Sequence, residues 1–211
     1  MDILENFRKG VDVAFSPGKH TEEHMDIGEA LGFYYKFTII SLIAAVVIPI
    51  IAGIASKHAV LGYELAAFGA VILLVEPLGG FLTAAMMQFF GKSVFKKFKN
   101  SYEDSYTATI YGAMPGNIFL WLLYTIMIFV PRKGFLMPDY SAGLGIALLI
   151  VDIALSIWGF IVLVYSFANQ QKCSKLAVIG VFLGMIAIFF AIIVALIVII
   201  VLAVLTASHI A

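Results

Sequence analysis

Leu176–Ala207 reads LAVIGVFLGMIAIFFAIIVALIVIIVLAVLTA, 32 residues without one charged side chain. A hydrocarbon core about 30 Å thick is crossed by about 20 apolar residues of helix. The run is therefore too long for one upright span and too short for two with a turn, so it should tilt or protrude. Working back along the chain, four similar runs follow. Ser141–Ala168 is closed by Asn169-Gln170-Gln171-Lys172 and carries Asp152. Thr107–Val130 is closed by Pro131-Arg132-Lys133, and Leu65–Phe90, which carries Glu76, is stopped by Gly91-Lys92. Phe37–Ala55 lies between Lys36 and Lys57. The expected fold is all-α: a polytopic integral membrane protein with a bundle of five transmembrane helices, at about 37–55, 65–90, 107–130, 141–168 and 176–207.

Composition agrees with a lipid environment. Hydrophobic residues make up 63% of the chain and charged ones 12%, with mean hydropathy +1.06, against about 25% charged residues in soluble domains. Lys plus Arg equals Asp plus Glu at 13 each, so no overall charge excess draws the chain to nucleic acid. The single cysteine, Cys173, excludes an internal disulfide and a cysteine-based metal cluster.

Orientation follows from the basic residues, which concentrate on the cytoplasmic side. With the N-terminus inside, ten fall on inner segments: Arg8, Lys9, Lys19, Lys36, Lys92, Lys96, Lys97, Lys99, Lys172 and Lys175. Lys57, Arg132 and Lys133 fall outside. The expectation is a multi-pass cell-membrane protein with a cytoplasmic N-terminus and an outward C-terminus. The first 36 residues carry seven acidic groups and no apolar core, which speaks against a cleavable signal peptide. Residues 1–36 are expected to form a cytoplasmic N-terminal segment and 37–211 the membrane domain.

Within that segment Ile3, Phe7, Val11 and Phe15 recur every four residues among charged neighbours, the pattern of an amphipathic helix. Ser16-Pro17-Gly18 should end it. Such a helix is expected to lie at the cytoplasmic bilayer surface or against the bundle. A second cytoplasmic element, Lys92-Ser-Val-Phe-Lys-Lys-Phe-Lys99, sets Lys92, Lys96, Lys97 and Lys99 against Val94, Phe95 and Phe98. Its lysines are candidates for contact with anionic headgroups, worth about 1 kcal/mol each beside a negative leaflet.

Glu76 and Asp152 are the costly residues, because a charge at the bilayer centre is unfavourable by at least a few kcal/mol. Each lies 11 residues from the outer end of its run, roughly 16 Å deep, and Asn117 reaches a similar level from the inner side. The three are expected to meet as an intramembrane polar cluster, either a proton or cation site or a set of hydrogen bonds between helices. Pro77 and Pro115 should bend their helices. Gly112 with Gly116, and Gly180 with Gly184, have the spacing of close helix packing, with a homo-oligomer interface as the alternative.

His20-Thr-Glu-Glu-His24 matches a zinc-peptidase pattern, with His20 and His24 as metal ligands and Glu23 as base. No third ligand stands at a suitable distance and the segment is short and polar, so no metal is expected there, and neither a cofactor nor enzymatic activity elsewhere.

The order of features resembles the Yip family, the Rab-interacting five-span membrane proteins, in its prokaryotic form. The resemblance rests on the opener ending in Phe15-Ser-Pro17, then Phe90-Gly91-Lys-Ser-Val-Phe95-Lys-Lys-Phe followed by Tyr106-Thr-Ala-Thr-Ile-Tyr111-Gly-Ala-Met-Pro115. It continues through Ser156-Ile-Trp158 and Cys173-Ser-Lys175-Leu-Ala177. It implies five spans, a cytoplasmic N-terminus and, in eukaryotic members, vesicle trafficking through prenylated Rab GTPases. This chain has no long polar N-terminal extension. Glu76-Pro77-Leu78-Gly79 only loosely echoes the Asp-Leu-x-Gly-Pro element of eukaryotic members, so small-GTPase contact is not carried over. The function expected is a non-enzymatic membrane-organising or trafficking-type scaffold that acts on lipids or partners. Lys96→Gln with Lys97→Gln should abolish it and Glu76→Gln should do little. The alternative is a small transporter or channel using Glu76 and Asp152, with the opposite pattern and two or more copies enclosing the path.

Overall fold

The structure is a computed structural model in which residues 3–40, 60–128, 132–134, 137–138 and 142–208 are described. Helix α1 (Ile3–Phe15) and the single turn α2 (Pro17–His20) precede α3, helical over 27–40. The long helices are α4 (Val60–Gln88), α5 (Tyr102–Ile128), α6 (Ala142–Gln170) and α7 (Lys175–Ser208). A short antiparallel pair, β1 (Arg132–Gly134) and β2 (Met137–Pro138), stands between α5 and α6. Among the described residues, the regular structure is thus helical apart from that hairpin. Among the described residues, two helices contain stretches long and apolar enough to cross a membrane: Leu149–Gln170, mean hydropathy 2.2, and Lys175–Val201, mean hydropathy 3.4. Most of the first span expected from sequence lies at 41–59, outside the described residues.

The helix starts have local causes. Asp26 accepts the Glu29 amide at 2.7 Å while its own amide donates to the Glu29 carboxylate at 3.2 Å, a reciprocal cap that starts α3 at residue 27. The helix therefore runs unbroken across the 36/37 boundary drawn from charge. Ser101 and Asp104 cap α5 in the same way, the Ser101 amide reaching the carboxylate at 2.9 Å. Ser174 caps α7 through the Ala177 amide at 3.2 Å. At its C-terminal end α4 widens into a π-helical turn, Phe89–Val94, closed by the Phe95 amide on the Phe90 carbonyl. Lys96 and Lys172 follow the π-helical turn and α6 at φ 53° and 48°, left-handed positions where glycine is the usual residue.

α5 is the central helix, packed most extensively on α6, then on α4 and α1. One apolar core lies among α1, α3 and α5. There Phe7 stacks on Phe37 with centroids 5.3 Å apart, and Phe33 meets the Tyr111 ring edge-on at 5.8 Å. A second core joins Met87, Phe90, Phe98 and Phe167 to Val178 and Val181 of α7. Elsewhere large apolar side chains face outward, among them Leu74, Leu78 and Leu82 of α4, Ile146, Leu149, Ile150, Ile153 and Ile157 of α6 and Ile192 to Val201 of α7. An apolar surface of that extent is suited to lipid rather than to water.

Helix α1 forms where the periodicity predicts, and it docks against the bundle. Its buried stripe is rotated from the expected one, however. Asn6, Gly10, Val13 and Ala14 are buried, Phe7 and Val11 are half-buried, and Phe15 is 57% exposed. The reason is close approach: a Cβ at Gly10 would overlap the Phe37 ring, so α1 comes nearest to α3 along its smallest residue. The indole Nε1 of Trp158 then donates to the Ala14 carbonyl at 2.9 Å, satisfying one of the last carbonyls of α1.

Of the glycine pairs, only one member of each packs. A Cβ at Gly112 would sit 3.0 Å from Leu163 Cβ, and Gly159 opposes the Gly112 carbonyl. Gly184 is covered by the Phe95 ring, whereas Gly116 and Gly180 face open space. The spacing therefore marks one close contact per helix and not a continuous seam. Pro77 and Pro115 lie inside α4 and α5 and are buried.

Candidate functional sites: a buried carboxyl cluster and a lysine segment

Depth along the bundle can be read from hydrogen bonds. The Thr107 hydroxyl donates to the Met25 carbonyl at 3.0 Å, so α3 starts level with the first turn or so of α5. Nine residues on from Met25, Tyr34 is roughly 14 Å deeper, and Asn117, ten residues on from Thr107, is roughly 15 Å deeper. Glu76 meets them from α4. The Tyr34 hydroxyl donates to Glu76 Oε2 at 2.6 Å, Tyr34 and Asn117 are fully buried, and Asn117 borders both groups. Glu76 and Asn117 of the expected cluster are thus brought together. Asp152 is not: it lies on the exposed face of α6, while α6 turns Trp158, Val162 and Ser166 toward the rest of the bundle. That placement corrects the expected trio, and its cause is the rotation of α6 about its axis, which span counting does not give.

Tyr34 and Thr38, which complete the cluster, were missed by the sequence reading. Their signal was the cap Asp26-Ile-Gly-Glu29, which starts the helix early enough to carry both inward on one face, four residues apart.

Near the C-terminal ends of α4 and α6 a polar lock ties four segments to one another. Gln170 Nε2 donates to the carbonyls of Thr21 at 2.8 Å and Glu23 at 2.7 Å. Gln171 Nε2 donates to the Ser101 carbonyl and to Ser105 Oγ, and its Oε1 accepts the Asn100 amide at 3.0 Å. The Asn100 side chain bonds the Gln170 carbonyl, and Gln88 bonds both the Asn100 carbonyl and Ser105 Oγ. In the sequence these glutamines read only as the polar end of a span.

The same lock holds the histidine motif apart. Residues 21–26 are not helical, so His20 and His24 do not share a helix face. Glu23 pairs with Lys9, whose ammonium lies over the Phe33 and Tyr111 rings, and His24 Nδ1 is 2.8 Å from Asp104. Burial pushes the Asp104 carboxyl up, but hydrogen bonds from the Ser101 hydroxyl, His24 and the Ser101 amide outweigh it and hold the group below the usual aspartate range. A carboxyl that titrates lower when folded supports the fold fully above about pH 4, and that support is lost as pH falls through its folded value. Limited pepsin digestion should therefore cut residues 21–26 increasingly as pH falls below about 4. In Asp104→Asn the digestion should vary much less over the same range.

The lysine segment is built from anchored aromatics. Phe98 covers Gly91 and stacks on Phe167 at 5.7 Å, and Phe95 covers Gly184. Lys92, Lys96, Lys97 and Lys99 all point outward. Lys97 and Lys99 share an open basin with Lys172 and Ser174, with Glu22 as its acidic member. Burial pushes the nearby Cys173 thiol up, and Lys99 partly offsets it. No family model, curated protein or solved structure matches this chain, so these geometries stand as the basis for any functional reading.

Proposed function

We propose that this protein is a non-enzymatic, five-span membrane protein of the Yip type, with a cytoplasmic N-terminus and an outward C-terminus, that organises membrane through anionic lipid at its inner face. The observation that carries the reading is the Lys92 to Lys99 segment, whose phenylalanines are held by α6 and α7 while its four lysines stay exposed. A cation pinned at the headgroup level loses little freedom on meeting a phosphate, so the attraction is not spent on ordering the loop. The docking of α1 beside α5 and α6 and the concentration of basic residues on one side support the same orientation.

The test uses protein reconstituted in mixed zwitterionic and anionic lipid, with the fluorescence of Trp121 and Trp158 quenched by brominated lipid of either kind. At about 1 kcal/mol per lysine, Lys96→Gln with Lys97→Gln should lower the preference for anionic lipid by about thirtyfold. An unchanged preference rejects the reading. A second reading, a small transporter or channel, draws its support from the burial of Glu76 against Tyr34, and it loses Asp152 as a second carboxylate.

A further inference from the structure

The cluster around Glu76 holds more polar atoms than its hydrogen bonds use. Tyr34 and Thr38 of α3, Glu76 of α4 and Asn117 of α5 converge, and Tyr34, Thr38 and Asn117 are each 0% exposed. Thr38 Oγ1 and both amide atoms of Asn117 are buried without a hydrogen-bond partner. Thr38 and Asn117 are within hydrogen-bonding reach of the Tyr34 hydroxyl, and Asn117 also of the Glu76 carboxyl, without meeting either in hydrogen-bond geometry. Buried polar atoms are almost always satisfied, and leaving one unpaired costs about 1–3 kcal/mol. Such a concentration around one carboxylate points to a guest.

The donor set selects the guest. Every acceptor is an oxygen, from a carboxylate, a phenol, an alcohol and an amide, which suits a hard cation over a soft one. Only one formal negative charge is present, because Asp152 stands elsewhere. Among the described residues the ion pairs are Lys9–Glu23 and His24–Asp104, and neither involves Glu76. One carboxylate with a monovalent cation makes a neutral unit, whereas a divalent ion would leave a net charge inside the bundle, where charge is most costly.

We infer that Tyr34, Thr38, Glu76 and Asn117 form a binding site for a single alkali cation between α3, α4 and α5. The Glu76 carboxylate supplies the charge, and Thr38 Oγ1 and Asn117 Oδ1 supply neutral ligands. Tyr34 donates its proton to one Glu76 oxygen and leaves the other free for the ion. The site is independent of the lipid reading, since it uses none of the lysines.

The experiment measures sodium-22 binding and the thermal unfolding midpoint of the protein in neutral-lipid nanodiscs, with sodium chloride exchanged for N-methylglucamine chloride at constant ionic strength. The expected result is a midpoint that rises saturably with sodium and one displaceable sodium per chain. Glu76→Gln should lose both. Thr38→Val, which keeps the side-chain shape, should fold normally and raise the half-saturating sodium concentration, so the inference remains testable if the first variant misfolds. Equal midpoints in the two salts with no bound sodium-22 would overturn it, and the cluster would then hold only a proton or water. Sodium binding that Thr38→Val leaves unchanged also overturns it, by locating the ion elsewhere.

Discussion

Replacing Gln171 by leucine is expected to destabilise the protein by about 3 kcal/mol. Gln171 is fully buried, and its amide accepts from the Asn100 backbone while donating to the Ser101 carbonyl and Ser105 Oγ. Leucine fills the space but leaves the Asn100 N–H without a partner, at about 1–3 kcal/mol, and leaves the Ser101 carbonyl only the long bond from the Ser105 amide at 3.4 Å. Ser105 keeps Gln88 as its acceptor, so its share is small. Reversible unfolding in mixed detergent should show the loss, together with faster proteolysis of the Asn100 to Ser105 connection. Asn169→Ala, which removes one bond from a half-buried side chain to Thr21, should cost about 1 kcal/mol. Equal effects for the two would mean that the lock is not the fastening described.

The second large effect is steric. Gly112→Leu should destabilise the α5–α6 contact by about 1–3 kcal/mol, while Gly116→Leu, one turn further along the same helix, should stay within about 0.5 kcal/mol. Leu163 Cβ and Cγ lie 3.0 Å and 3.2 Å from where a Gly112 Cβ would be, and Gly159 closes on the Gly112 carbonyl. Backbone and packed side chain cannot both give way, whereas Gly116 meets open space. Leu163→Ala should partly rescue Gly112→Leu, since it removes the atoms that clash, and a double-mutant cycle reads the coupling directly. If both glycine variants are equally harmful, the helix pair meets through another face.

Long-range polarity along the chain was legible because hydrocarbon length sets the count. The charge-free runs ending at Val130, Ala168 and Ala207 recur as α5, α6 and α7, with ends moved by a few residues. The amphipathic opener recurs as α1, and Ser16-Pro17-Gly18 does end it. What was not legible is rotation about each helix axis. Apolar side chains surround α6 on nearly all sides, so composition gives no preferred face. Packing against Gly112 and Trp158's bond to Ala14 choose the face that turns inward and leave Asp152 out. The same holds for α1, where a glycine decided the approach and the bulkier Phe15 was left exposed.

The sequence by itself determined a helical chain rich in lipid-compatible surface, the order of its elements and the segments in which its basic residues collect, because these follow from local composition and hydrogen-bond closure within each helix. Only the tertiary structure decided which polar residues meet. Tyr34 reaches Glu76 across 42 positions, and Gln170 reaches Thr21 across 149. A hydrogen bond depends on ångström-scale position and direction. Spacing within one helix specifies neither until the others are packed against it.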